Sequence, residues 1–151
     1  MADKNPHGLH VPFYFGVEVG GTDIPFQTAE GLEFKMGVED IKEGGENRFS
    51  YRVPGRMEFQ NLKLKRALKA DPTDTLVDWC KETLSTDLSK AIETKNIQVS
   101  LYDETGSPIA TWYFESAYPI NWRVDALDSM KDSDVLIEEI EFAYLYASRK
   151  K

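Results

Sequence analysis

The stretch Ile97-Gln98-Val99-Ser100-Leu101-Tyr102-Asp103, then Glu104-Thr105-Gly106-Ser107, then Ala110-Thr111-Trp112-Tyr113-Phe114-Glu115, decides the fold. Ile97, Val99 and Leu101 alternate with Gln98, Ser100 and Tyr102, and Ala110, Trp112 and Phe114 alternate with Thr111, Tyr113 and Glu115. Side chains of a strand point to opposite faces in turn, so this period of two marks strands with one face on a core. The short polar, glycine-containing link between them makes the pair an antiparallel hairpin.

Downstream, Ala117-Tyr118-Pro119 reads as the end of the second strand, because proline cannot donate to a central ladder. Trp122 follows, and Val124 to Ser133 is polar, a short helix or a loop. In the run Val135 to Tyr146, Ile140, Phe142, Tyr144 and Tyr146 alternate with Glu139, Glu141, Ala143 and Leu145, a strand pattern. Glu138-Glu139 breaks the phase of Val135 and Ile137 and suggests a bulge.

Upstream, Phe13, Phe15, Val17 and Val19 form another alternating strand. Gly20-Gly21-Thr22-Asp23 turns the chain, and Ile24 to Met36 resumes as extended chain, a second hairpin. Gly37 to Ser50 is rich in glycine and charge, with only Val38, Ile41 and Phe49 large and apolar. It reads as a long exposed loop or a protruding two-strand extension. Tyr51 to Leu68 is extended, with a bend or bulge at Pro54-Gly55 and a change of phase between Phe59 and Leu62 that suggests another bulge. Asp71-Pro72-Thr73-Asp74 is a helix start. Leu76, Val77, Trp79, Cys80 and Leu84 then share one face of an amphipathic helix of about three turns. Asp87 to Glu93 reads as a further short helical turn. The expected class is mainly β with one α-helix: an antiparallel β-barrel or sandwich flanked by the helix, with a long protruding loop.

The chain of 151 residues is read as one domain, 1–151, with a mobile N-terminal arm over 1–10. Its 26 acidic and 18 basic residues give a net charge of −8, which argues against a surface built to neutralise nucleic-acid phosphates. The first residues lack the apolar core of a secretory signal, and no apolar run approaches the roughly 20 residues that span a bilayer. A soluble chain without a membrane anchor is expected.

Little in the sequence suggests catalysis. The two histidines, His7 and His10, sit in the arm, without the further ligands a metal site needs. The single cysteine, Cys80, excludes an intrachain disulfide; it lies beside Trp79 on the apolar helix face, with no histidine placed to activate it. Gly16-x-x-x-Gly20-Gly21 ends a strand with no helix after it, so it is a turn and not a dinucleotide site. Glu138, Glu139 and Glu141 are explained by a solvated sheet face or one facing a polar lumen. The expectation is no enzyme, no cofactor and no metal. Lys63, Lys65, Arg66 and Lys69 form the main basic cluster; nucleic-acid binding is one reading, and a patch that meets an acidic patch on a neighbouring subunit is preferred given the acidic whole.

One ordered set of segments spans nearly the whole chain. It comprises Phe13 to Val19, Ile24-Pro25-Phe26, Glu30-Gly31-Leu32, Pro54-Gly55, Leu62-Lys63-Leu64-Lys65-Arg66, Asp78-Trp79, Val99 to Gly106, Trp112, Ala117-Tyr118-Pro119 and Val135 to Glu141. This set resembles the tail-tube proteins of contractile phages and of phage-tail-like injection systems, related in fold to the ring protein of type VI secretion. Ala67 departs from it, since the family commonly has glycine there. The resemblance implies hexameric rings stacked into a rigid inner tube within a contractile sheath. It implies as partners further copies of the chain, the sheath protein, baseplate or hub and tail terminator proteins, and cargo effector or DNA in the lumen. Assembly is implied in the bacterial cytoplasm, for a virion tail or an extracellular injection particle. Val38, Glu39, Asp40, Ile41, Lys42, Glu43, Gly44, Gly45, Glu46 and Asn47, within the extension 37–50, would contact the adjacent ring. Lys63, Lys65 and Arg66 would serve subunit contacts. Pro54, Gly55, Trp79, Trp112, Tyr118, Pro119 and Trp122 would be structural. The alternatives are a tube initiator or baseplate adaptor of the same machine, or a monomeric β-barrel binding module.

Overall fold

The computed structural model describes residues 14–42, 44–45, 50–68, 71, 73–85, 90–127 and 136–150. The arm expected over 1–10 lies outside them. The elements are β1 (Tyr14–Val19), β2 (Thr22–Ile24), β3 (Thr28–Glu30), β4 (Phe34–Ile41), β5 (Tyr51–Phe59), β6 (Leu62–Ala67), α1 (Thr75–Thr83), β7 (Lys95–Tyr102), β8 (Pro108–Val124), β9 (Ile137–Ala143) and β10 (Tyr146–Lys150). Every pairing among the strands is antiparallel.

β8, with 17 residues, organises the molecule. Its first half lies between β7 and β10 in a five-stranded layer ordered β2-β1-β7-β8-β10. Its second half pairs with β9 in a four-stranded layer ordered β8-β9-β6-β3. The strand passes between layers at Ser116, whose φ of 54° lies in the left-handed region. That conformation is uncommon for a residue with a side chain. Asn96 Oδ1 accepts its N–H at 3.1 Å and holds the bend. β9 and β10 follow β8 around the corner, joined by Leu145 N–H donating to Glu115 O at 3.0 Å. The end strands β2 and β3 do not pair with each other, so among the described residues the layers form an open sandwich and not a closed barrel.

The alternation read at Ile97–Glu115 sets the core. Val17, Val19, Ile97, Val99 and Phe114 face inward from one layer, and Leu62, Leu64, Ile140 and Phe142 from the other. Each such side chain contributes roughly 1.5–3 kcal/mol of hydrophobic stabilisation. The helix α1 adds Leu76, Trp79 and Cys80 to this core. Trp79 stacks on Phe142 at 5.6 Å between ring centroids and donates its Nε1–H to Glu93 O at 2.9 Å. Asp74 caps the helix by accepting Leu76 N–H at 3.0 Å, one of the end donors that have no intrahelical partner.

Several readings are corrected. β8 does not end at Tyr118-Pro119 but runs on to Val124. Proline is tolerated there because, among the described residues, the strand beyond Ala117 pairs only with β9, and the register shifts between Pro119 and Asn121. The phase change between Phe59 and Leu62 is not a bulge: β5 ends, and β6 enters a different sheet. At Glu138-Glu139 the register with β6 is unbroken; Glu138 takes an inward position, as its pairing opposite the inward Arg66 requires. Tyr146 is out of phase with Phe142 because the strand is interrupted at Tyr144 and Leu145, between β9 and β10. Thr22 and Asp23 belong to β2, not the turn, and the chain from Ile24 to Met36 divides among three strands. Leu84 is exposed at the helix C-cap. Of the helical turn expected over Asp87 to Glu93, residues 90–93 are not helical and 86–89 lie outside the described residues. Gly31, at φ 92°, must be glycine: a Cβ would stand 2.1 Å from Asn61 O.

Candidate assembly surfaces

β4 and β5 form a two-stranded sheet of their own, separate from both layers. Of the loop or two-strand alternatives for the extension, the structure has the second. Phe34 pairs with Phe59, Met36 with Met57 and Val38 with Pro54, so these six side chains line one face. Gly37 and Gly55 sit at a register shift, and the strands approach so closely that a Cβ on Gly55 would lie 3.0 Å from Gly37 O. The bend read at Pro54-Gly55 is this bulge, whose extra residue on β5 brings Pro54 to the apolar face opposite Val38.

Beyond Phe59 at its base, nothing within the described chain covers that face. Phe34, Met36, Val38 and Met57 are 41%, 50%, 52% and 46% exposed. A two-stranded ribbon is at best marginally stable alone. It is anchored at its base, where Phe59 contacts Tyr144 at 5.7 Å and Tyr146 at 6.1 Å. Lys35–Glu58 at 4.0 Å and Arg52–Asp40 at 3.4 Å are exposed ion pairs and add little stability. Val38, Glu39, Asp40 and Ile41 lie on β4, and Lys42, Gly44 and Gly45 lie towards the tip. Glu43, Glu46 and Asn47 lie outside the described residues.

The outer face of the four-stranded layer carries the second surface. Lys63 pairs with Glu141 and Lys65 with Glu139 across β6 and β9, while Arg123 on β8 faces Glu139. Arg123 donates to Glu139 Oε2 from Nη2 at 2.5 Å and from Nε at 3.0 Å. This hydrogen bond holds the Glu139 carboxyl below the usual range, against the opposing effect of desolvation. Lys65 Nζ lies 3.5 Å from Glu30, and Asn61 donates to Glu141 at 2.8 Å. The lysines thus sit in a ladder of opposite charges within their own sheet.

Arg66 is not part of that surface. Strand alternation turns it inward with Leu62 and Leu64, and it is 5% exposed. Its Nε donates to Glu138 Oε2 at 2.9 Å and its Nη2 to Asp74 Oδ2 at 2.5 Å. Trp122 Nε1 donates to the other Glu138 oxygen, and Phe26 packs against the guanidinium at 5.9 Å. The cluster ties the cap of α1 to β6, β8 and β9. The only sequence signal for it was Glu138 breaking the apolar phase of its strand. Trp79 and Pro119 are buried, and Trp112, Tyr118 and Trp122 are half-buried against the core.

Cys80 is fully buried, and burial, then the nearby Glu138 carboxylate, pushes its thiol up to about 12. Such a thiol is a poor nucleophile. Among the described residues no three histidine, cysteine or acidic side chains are grouped to hold a metal ion, and no helix is long and apolar enough to cross a membrane.

The comparisons agree with this geometry. The family model for T4-like virus tail tube protein gp19 matches residues 11–148. The sheath–tube complex of an extracellular contractile injection system (PVC) contains a similar chain, with a TM-score of 0.80, 23% identity and coverage of 95% of this chain and 93% of that one. The sheath/tube terminator of PVC gives 0.77 and 25%, covering 91% and 93%. Hcp1 from Flavobacterium johnsoniae gives 0.57 and 13%, covering 89% and 93%. No curated protein matches significantly.

Proposed function

The chain belongs to the T4-like virus tail tube (gp19) family, structural and non-enzymatic components of contractile tails and injection systems, and from that premise we propose that it is a subunit of the inner tube itself. In this reading copies form hexameric rings, and the rings stack into a rigid tube inside a contractile sheath. The sheath, a baseplate or hub and a terminator are its partners, and cargo effector or DNA passes along the lumen. The chain 1–151 acts as one domain, made in the bacterial cytoplasm and carried in a virion tail or an extracellular particle.

The observation that carries the reading is the β4–β5 ribbon. It leaves Phe34, Met36, Val38 and Met57 half exposed on one face and projects from the sandwich as a separate sheet. Exposed apolar faces of this kind mark interaction sites. A second copy in the ring or the adjacent ring is the occupant, with residues 38–47 at the contact and Lys63 and Lys65 facing acidic groups.

Negative-stain electron microscopy over a concentration series tests this. Rings and hollow tubes are expected as concentration rises. A monomer at all concentrations refutes self-assembly of the free chain. The likeness to a sheath/tube terminator favours a second reading, a capping or initiating ring. Single rings that never stack would select it.

A further inference from the structure

Four N–H donors meet four carboxylate oxygens where α1 joins the sandwich. Asp74, the N-cap of α1, accepts Leu76 N–H on Oδ1 at 3.0 Å and Arg66 Nη2 on Oδ2 at 2.5 Å. Glu138 on β9 accepts Arg66 Nε on Oε2 at 2.9 Å and the Trp122 indole N–H on Oε1. Guanidinium, indole and backbone N–H groups donate and cannot accept. The arrangement therefore suits both carboxylates in their ionised form. A proton on either would stand against a donor or, among the described residues, go without an acceptor. Little water reaches the place: Arg66 and Glu138 are buried, and the Asp74 side chain is 10% exposed.

The surrounding charges leave the response to these two groups. Two carboxylates share one guanidinium, whose open face lies against Phe26 at 5.9 Å. Cys80, on α1, stays protonated beside them. Lys95, on β7, sits over the Trp79 ring at 5.1 Å. Asp78 and Lys81 are exposed on the outward side of α1. Asp74 is both the cap of the helix and a partner of Arg66, so one proton there weakens the helix end and its attachment together.

We infer that Arg66, Asp74 and Glu138 form an acid-sensitive latch: protonation of either carboxylate frees the N-terminal end of α1 from β6 and β9 and opens the buried face of the helix, while the two β layers stay paired. The released state binds more protons than the docked one, so acid favours release and neutral pH favours docking. Opening of one element below the cost of global unfolding is how local stability differences show themselves. The latch lies within one chain and does not depend on the tube reading.

Cys80 reports on it, being the single cysteine and buried on the face that α1 turns to the core. Unassembled wild-type protein is treated with a dipyridyl disulfide, which reacts with thiols in acid as well as at neutral pH. Cys80 should be protected at neutral pH. At about pH 4, where ordinary carboxylates begin to protonate, it should label about a hundredfold faster or more, relative to the unfolded chain at the same pH, the factor set by unpairing a buried charge. A second chain, Cys80→Ala with Ala110→Cys, puts the thiol at a buried position of the five-stranded layer, and its labelling should stay slow in acid. Ala147→Cys takes that place if the Ala110→Cys chain does not fold. Glu138→Gln and Asp74→Asn each set an amide donor against an N–H whichever way the amide turns. Both should expose Cys80 at neutral pH as acid does in the wild type, with the circular dichroism of the sheets unchanged. Cys80 protected in acid, Cys80 and the layer thiol exposed together, or amide variants as protected as the wild type would each overturn the latch.

Discussion

Replacing Arg66 by methionine keeps an unbranched stem about as long as the arginine's reach to Nε and removes the cation between two carboxylates. In the wild type the guanidinium reaches Glu138 at 2.9 Å and Asp74 at 2.5 Å, and the side chains of Arg66, Glu138 and Asp74 are 6%, 1% and 10% exposed. Among the described residues Glu138 would keep only the Trp122 indole N–H, and the Asp74 carboxylate only Leu76 N–H. Removing one partner of a buried ion pair typically costs about 3–5 kcal/mol, because the remaining charge is left uncompensated. For a chain of this size that corresponds to a fall in Tm of roughly 6–20 °C. The assay is urea and thermal unfolding by tryptophan fluorescence and circular dichroism, at a concentration where the protein is unassembled, since assembly stabilises by mass action. Adding Glu138→Met removes both charges and should restore part of the loss, because an apolar replacement of a whole buried pair is often near neutral. A loss below about 1 kcal/mol for Arg66→Met, or a double variant as unstable as the sum of the singles, would refute the argument that these charges act as one buried unit.

Trp79→Ala empties the stacked position on Phe142 and should destabilise the fold by about 3–5 kcal/mol, read from the same unfolding curves. Met36→Lys with Met57→Lys places two charges on the apolar face of the β4–β5 ribbon; circular dichroism should be unchanged while tubes are lost, and wild-type tubes would show the face to be idle. Deleting Gly44 to Asn47, between β4 and β5 in sequence, should likewise leave a folded subunit with impaired stacking, scored by tube length. Cys80 makes alkaline stability fall as pH rises: the unfolded thiol loses its proton near 9.0 and the folded one near 12, so in that window the unfolded state binds fewer protons. Cys80→Ala should flatten the pH dependence of unfolding between those values, and an unchanged slope would mean the thiol is accessible in the folded state.

Much of the fold was legible because local rules acted alone. The alternation at Ile97–Glu115, the glycine turn before β2 and the cap at Asp74 each reflect backbone geometry within a few residues. The errors arose where distant chain overrode those rules. Pro119 reads as a strand end, yet it is accommodated because β8 has a partner on one side only at that point. Arg66 reads as surface charge beside Lys65, yet Glu138 and Asp74, remote in sequence or on another element, make an inward position tolerable.

The sequence by itself determined the class of structure, mainly antiparallel β with one amphipathic helix, because hydrophobic period and turn chemistry are local properties. It also carried the family resemblance. Only the tertiary structure decided which strands share a layer and that, among the described residues, the sandwich stays open, with the end strands of its four-stranded half paired on one side. Those features depend on which strands pair and in what register, and pairing is settled by the burial of faces contributed from the whole chain.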